Sequence, residues 1–112
     1  MNVIPITWEN FDEEMDRKVK ENARLIAISG LDTGEGTMEV NYHFVMKDGE
    51  EITLRLTRSI NEKFKSVVEK FPAAVLAEKE LVEMYGIDME GVDGHLLLAA
   101  DSGIYAPQRR SA

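Results

Sequence analysis

The chain contains no cysteine. That excludes disulfides, thiolate-held iron–sulfur clusters and cysteine-type structural zinc within it, and it leaves no thiol evidence of redox compartment. Basic residues are scarce as well. Thirteen Lys and Arg stand against 21 Asp and Glu, a formal net charge of −8. Nucleic acid and anionic lipid are recognised by basic faces, so this balance argues against both as partners and against direct membrane insertion. No apolar run reaches the roughly 20 residues that cross a bilayer. No basic segment followed by an apolar core marks a signal peptide. The glycine-rich fingerprints of nucleotide sites, GxGxxG and GxxxxGK followed by Ser or Thr, are missing. These absences predict a soluble, cytoplasmic chain. With 112 residues, 44% apolar and 30% charged, it suits one domain with a modest core. Residues 1–100 are expected to form that domain, and 101–112, with Arg109 and Arg110, a flexible tail.

Residues 71–91, FPAAVLAEKELVEMYGIDMEG, organise the rest. Ala74, Ala77, Leu81, Met84 and Tyr85 recur at three- and four-residue intervals, which predicts a helix buried along one stripe. Glu78, Lys79 and Val82 fall on the other side, toward water or another protein. Pro72 suits a first turn, where its missing N–H is no loss. Gly86 suits the left-handed position just past the last turn.

Upstream, Val3, Ile4 and Ile6 around Pro5 predict a short edge strand, since proline in a sheet is confined to edges or ends. Residues 9–22 predict a helix with Phe11, Met15 and Val19 turned inward, Thr7 or Asn10 as cap, and acidic residues at the positive end of the dipole. Residues 24–31, RLIAISGL, are apolar on both sides, which predicts a strand covered on both faces or central in its sheet. Asp32-Thr33-Gly34-Glu35-Gly36 reads as a turn.

Alternation over residues 38–46 and 52–56 predicts a hairpin, and parity fixes its register. A two-residue Asp48-Gly49 turn would set Val45 opposite Ile52 and put the two apolar sets on opposite faces. A three-residue Lys47-Asp48-Gly49 loop sets Phe44 opposite Ile52 and Tyr42 opposite Leu54, and the sets coincide. Gly49 then takes the left-handed position of a bulged loop. Residues 58–71 read as a connector with a short helix, because Ser59 and Ser66 each precede a glutamate by three residues, as in a capping box. Residues 87–89 suit a short strand, and 96–100 are apolar enough to pack back on the core. The fold class is α+β: an antiparallel or mixed sheet of three to five strands with two main helices.

Catalytic chemistry finds little support. His43 shares the outward strand face with Asn41, and His95 is distant. No HxxxH spacing is present, so no metal site is expected. The serines lack the histidine base and orienting acid of a triad. Asp93 and His95 are two apart, a spacing that shares one strand face, but no activated nucleophile accompanies them in the manner of a hydrolase.

One constellation is more specific. Phe71-Pro72-Ala73-Ala74, then Glu78-Lys79-Glu80, then Glu83 and Met84-Tyr85-Gly86 resembles the central signature of the 30 kDa subunit family of respiratory complex I, the NADH dehydrogenase of the respiratory chain. That signature is an aromatic–proline pair, small residues, Glu-Arg-Glu, an acid, two apolar residues and glycine. Leu31-Asp32 and Tyr42-His43 stand where that family has Val-Asp and Tyr-His pairs. Lys79 replaces the family's arginine and lacks its bidentate fork. Val92-Asp93 stand in the place of His-Pro, and Leu96-Leu97 in that of an arginine pair. This short form is similar to the small accessory subunit of Ech-type energy-converting [NiFe]-hydrogenases. The resemblance implies an α+β structural subunit without cofactor or catalytic residues. Such a subunit sits in the peripheral arm on the cytoplasmic side of a membrane, beside a [NiFe]-hydrogenase large subunit, or a complex I-like catalytic subunit, and an iron–sulfur subunit. It also implies a subunit interface made by Glu78, Lys79, Glu80, Glu83 and Tyr85. Without the resemblance, those charges merely solvate a helix face, and the chain is a stand-alone binding or homo-oligomeric module with no redox role.

Overall fold

The hairpin sets the frame. In a computed structural model, which describes residues 2–91, strands β3 (Thr37–Val45) and β4 (Glu51–Ser59) pair antiparallel with Phe44 opposite Ile52 and Tyr42 opposite Leu54. The Met46 N–H meets the Glu50 carbonyl at 2.7 Å, and Gly49 closes the loop with φ of 91°. This is the register that parity predicts.

Around the hairpin lie β1 (Asn2–Ile6), α1 (Phe11–Lys20), β2 (Arg24–Asp32), β5 (Lys63–Phe64), α2 (Val75–Tyr85) and β6 (Asp88–Met89). The main sheet has the order β1-β4-β3-β2, with β1 parallel to β4 and the other pairs antiparallel. β5 and β6 form a small parallel sheet. A single 3₁₀ turn, Pro72–Ala74, leads into α2. The fold is thus α+β with a mixed sheet.

One sheet face carries the core. Met38, Val40, Tyr42 and Phe44 of β3 and Leu54 and Leu56 of β4 are buried on it. Phe11 of α1 meets Tyr42 edge to face at 5.7 Å, and Phe71 meets Phe44 in the same way at 5.3 Å, the geometry that ring quadrupoles favour. The other face is polar. Ser29 Oγ and Thr53 Oγ1 flank the His43 ring at 3.0 and 2.9 Å, and Arg55 Nε donates to Asn41 at 2.8 Å beside Glu39 at 3.1 Å.

Several expectations are corrected. β2 is not central; it is an edge strand. A bulge between Leu25 and Ala27 shifts its parity, so the apolar residues on its two sides reflect an irregular strand and not burial on both faces. Ile26 and Leu31 remain 50% and 45% exposed. In α1, Phe11 and Met15 are buried but Val19 is exposed. Each four-residue step drifts about 40° around a helix, whereas seven residues return to within about 20°. Lys18 therefore lies under Phe11 and is buried, its amine bonded to Glu21 at 3.0 Å. The connector holds no helix. Its Ser66 makes no capping box with Glu69 but accepts the Val68 N–H at 3.1 Å, and residues 67–71 form a tight turn closed on the Val67 carbonyl. Thr7 and Asn10 do not cap α1 by side chain; they bond each other's backbone N–H ahead of it. The expectations for Asp93, His95, residues 96–100 and the tail lie outside the described residues.

Candidate subunit interface

Helix α2 begins at a proline turn and ends on Gly86, whose φ of 67° and N–H to the Val82 carbonyl at 2.8 Å make the left-handed cap. Its inward stripe is Ala74, Glu78, Leu81 and Val82, with Tyr85 half-buried. The stripe is rotated by about one residue from the sequence expectation: Ala77 and Met84 are only half-buried. Spacing alone allows either Ala77 or Glu78 to face inward. A charge reads as solvent-facing because a buried carboxylate needs donors.

Those donors exist. The turn at residues 66–68 brings the Ser66 hydroxyl to Glu78 Oε1 at 2.5 Å and the Val67 N–H to Oε2 at 2.6 Å. Burial raises the Glu78 carboxyl above the ordinary glutamate range, and the two hydrogen bonds partly oppose that rise. The Tyr42 phenol beside it is pushed upward by its own burial and by the Glu78 charge. No sequence signal links Ser66 to Glu78, because the capping pattern points to Glu69 instead.

The five expected interface residues therefore separate. Glu78 and Glu83 are buried within the chain, so the expectation that they are presented to a neighbour is corrected. Tyr85 is half-buried and donates its hydroxyl to the Gly30 carbonyl of β2 at 2.9 Å. Lys79 is half-buried and lines a surface groove of about 550 Å³ together with Lys65, Lys70, Asp12, Glu69 and Glu90. Glu80 is exposed. Of the five, only Lys79 and Glu80 remain to meet a partner through their charges.

A second surface escapes the sequence reading. Val75 and Leu76, at the start of α2, are 43% and 54% exposed, and so is Ile26 of the β2 edge at 50%. A signal for it is present in the sequence: Leu76 is a large apolar side chain off the predicted stripe.

Among the described residues no group of three or more His, Asp or Glu side chains could hold a metal ion. None of the helices described is long and apolar enough to cross a membrane. In the Ser29–His43–Thr53 line, Ser29 is exposed, His43 half-buried and Thr53 buried.

Residues 8–112 match the family described as respiratory-chain NADH dehydrogenase, 30 Kd subunit. The chain belongs to this family. No curated protein matches it. Among solved structures, a chain from an archaeal respiratory membrane complex, the membrane-bound sulfane sulfur reductase, superposes with a TM-score of 0.83. That likeness covers 96% of the present chain and 69% of the other at 17% identity, so it speaks for the fold. In this 30 Kd family member, the signature helix works largely inward: Glu78 fastens the connector, and Tyr85 fastens the sheet edge.

Proposed function

We propose that this chain is a non-catalytic structural subunit in the peripheral arm of a membrane-attached, energy-converting oxidoreductase. It docks beside catalytic and iron–sulfur subunits on the cytoplasmic side. The observation that carries this reading is the family match over residues 8–112. It is supported by a signature helix whose Glu78 is bonded within the fold and which leaves Lys79 and Glu80 outward. Charges at such a rim set orientation and partner choice more than affinity. Departure from the complex I signature at Lys79, Val92-Asp93 and Leu96-Leu97 favours an Ech-type [NiFe]-hydrogenase over a quinone-reducing complex I. Likeness in fold to the sulfane sulfur reductase chain fits the same class of assembly.

The experiment is affinity purification of the tagged full chain from native membranes gently solubilised in detergent. A [NiFe] large subunit and an iron–sulfur subunit are expected to co-purify in fixed stoichiometry. Recovery of the chain alone, with those subunits present in the same extract, overturns the reading.

A further inference from the structure

The sheet has two edges, and they differ. The outer edge, β1, carries Pro5, which cannot donate a backbone hydrogen bond and so blunts strand addition. The opposite edge, β2, carries no proline. Among the described residues no strand pairs with its outer side.

Below that open edge runs α2. The two elements lie side by side in the same direction. Leu25 shares a hollow of about 320 Å³ with Phe71, Pro72 and Ala73. Residues 25–28 share one of about 120 Å³ with Ala73, Ala74 and Ala77. Farther along, Tyr85 takes the Gly30 carbonyl. The smaller hollow has no charged residue in its lining, and the larger has only Arg24 and Lys70. Ala73, Leu76, Ala77 and Glu80 share one helix face by their spacing. The result is a trough with small residues on its floor and exposed Ile26 and Leu76 on its sides. Cationic groups stand at the end where β2 begins, an acid lies toward the other, and Tyr85 closes the edge there.

We infer that this trough receives an extended segment of the neighbouring subunit, added as a fifth strand to β2 and resting on α2. Unpaired backbone groups along an edge select an extended occupant. Small floor residues accept alternate apolar side chains from it. Arg24, beside Lys70 whose amine already lies 3.6 Å from Asp16, selects an acidic residue at one end of that segment, on a chain of net charge −8, and Glu80 a basic one at the other. The inference rests on the proposed subunit role and names the surface and mode by which it is carried out.

The test uses the full chain, free and in the native membrane complex. Hydrogen exchange is followed at the amides of residues 25–29. Alternate amides should exchange quickly in the free chain and at least tenfold more slowly in the complex. Leu76→Asp and Ile26→Asp alter exposed side chains, and an acid in the first turn of α2 suits its dipole. Both variants should therefore keep the wild-type unfolding midpoint while their incorporation into the complex falls at least tenfold. Arg24→Glu should weaken incorporation in the same direction.

Co-purification with the complex, but with unchanged β2 exchange and normal incorporation of the variants, would overturn this inference and leave the subunit role standing. Slow alternate amides already in the free monomer would assign the trough to the chain's own residues 92–112. Slowing that grows with concentration would assign it to a second copy. Either result overturns the proposal. Recovery of the chain alone would overturn both readings.

Discussion

Glu78 Oε2 lies 2.6 Å from the backbone N–H of Val67, eleven residues upstream and across the turn that precedes the helix. With Ser66 on the other oxygen at 2.5 Å, the carboxyl ties helix α2 to the connector from the main sheet. A buried donor left without its acceptor costs about 1–3 kcal/mol. Glu78→Ala strands both donors and opens a cavity, so chemical denaturation should show a loss of about 3 kcal/mol. Glu78→Gln retains an acceptor for Val67 and can donate to Ser66 Oγ. It should stay within about 1 kcal/mol of wild type at neutral pH.

The same carboxyl makes stability depend on pH with an unusual sign. Its pKa in the folded chain is raised above the ordinary value, chiefly by burial. Between the unfolded value, roughly 4.3, and the raised folded one, the folded state holds a proton that the unfolded state has released. The Glu78 contribution is therefore most favourable at low pH, declines as pH rises through that window, and levels off once the folded carboxyl ionises. Other carboxylates also titrate, so the quantity to measure is the difference in unfolding free energy between Glu78→Gln and wild type, from about pH 4 to about pH 8. It should move in favour of glutamine as pH rises. Movement toward wild type would refute the buried-acid reading.

At Gly30 two side chains of α2 press against the sheet. A Cβ there would lie 2.4 Å from Met38 Cε, 2.7 Å from Leu81 Cδ2 and 3.2 Å from Tyr85 Cε2. Met38 and Leu81 are buried and have little room to withdraw. Gly30→Ala should cost about 1–3 kcal/mol through overpacking. Tyr85→Phe, which removes only the bond to the Gly30 carbonyl, should cost about 1 kcal/mol. Thermal unfolding of the two variants separates the contributions.

Trp8 is the sole tryptophan. The Arg58 guanidinium lies 3.7 Å from its ring centroid, and the Lys65 amine 4.4 Å. Arg58 also bonds Glu62 and the Lys63 carbonyl. Arg58→Ala should shift the tryptophan emission to longer wavelength as the ring gains water, with a loss of about 1–2 kcal/mol. Lys65→Ala should have a smaller effect on both readouts.

Local rules carry much of the fold. Parity of two alternating segments is enough to fix the hairpin register, because a slip of one residue would turn an entire apolar set to solvent. Pro5, Pro72 and Gly86 fall where their backbone restrictions put them. The failures share a cause, which is that information from elsewhere in the chain is needed. The bulge at Ile26 breaks the parity of β2, and nothing local distinguishes a bulged edge strand from a doubly covered one. Glu78 reads as a surface charge because its donors come from a turn eleven residues upstream. The candidate site suffers most from this. The signature residues are legible, but two of the acids are buried within the fold itself, and the apolar trough beside them is visible only as a stray Leu76.

Placement of Pro5 has a consequence for how many copies can join. Endless strand-to-strand stacking requires two adhesive sides on every unit, so that each addition regenerates a growing tip. Here one side is capped by a residue with no amide hydrogen. Among the described residues the main sheet therefore offers one fully furnished side by this route, which suits ending another sheet or closing a single pair and disfavours growth into a fibre.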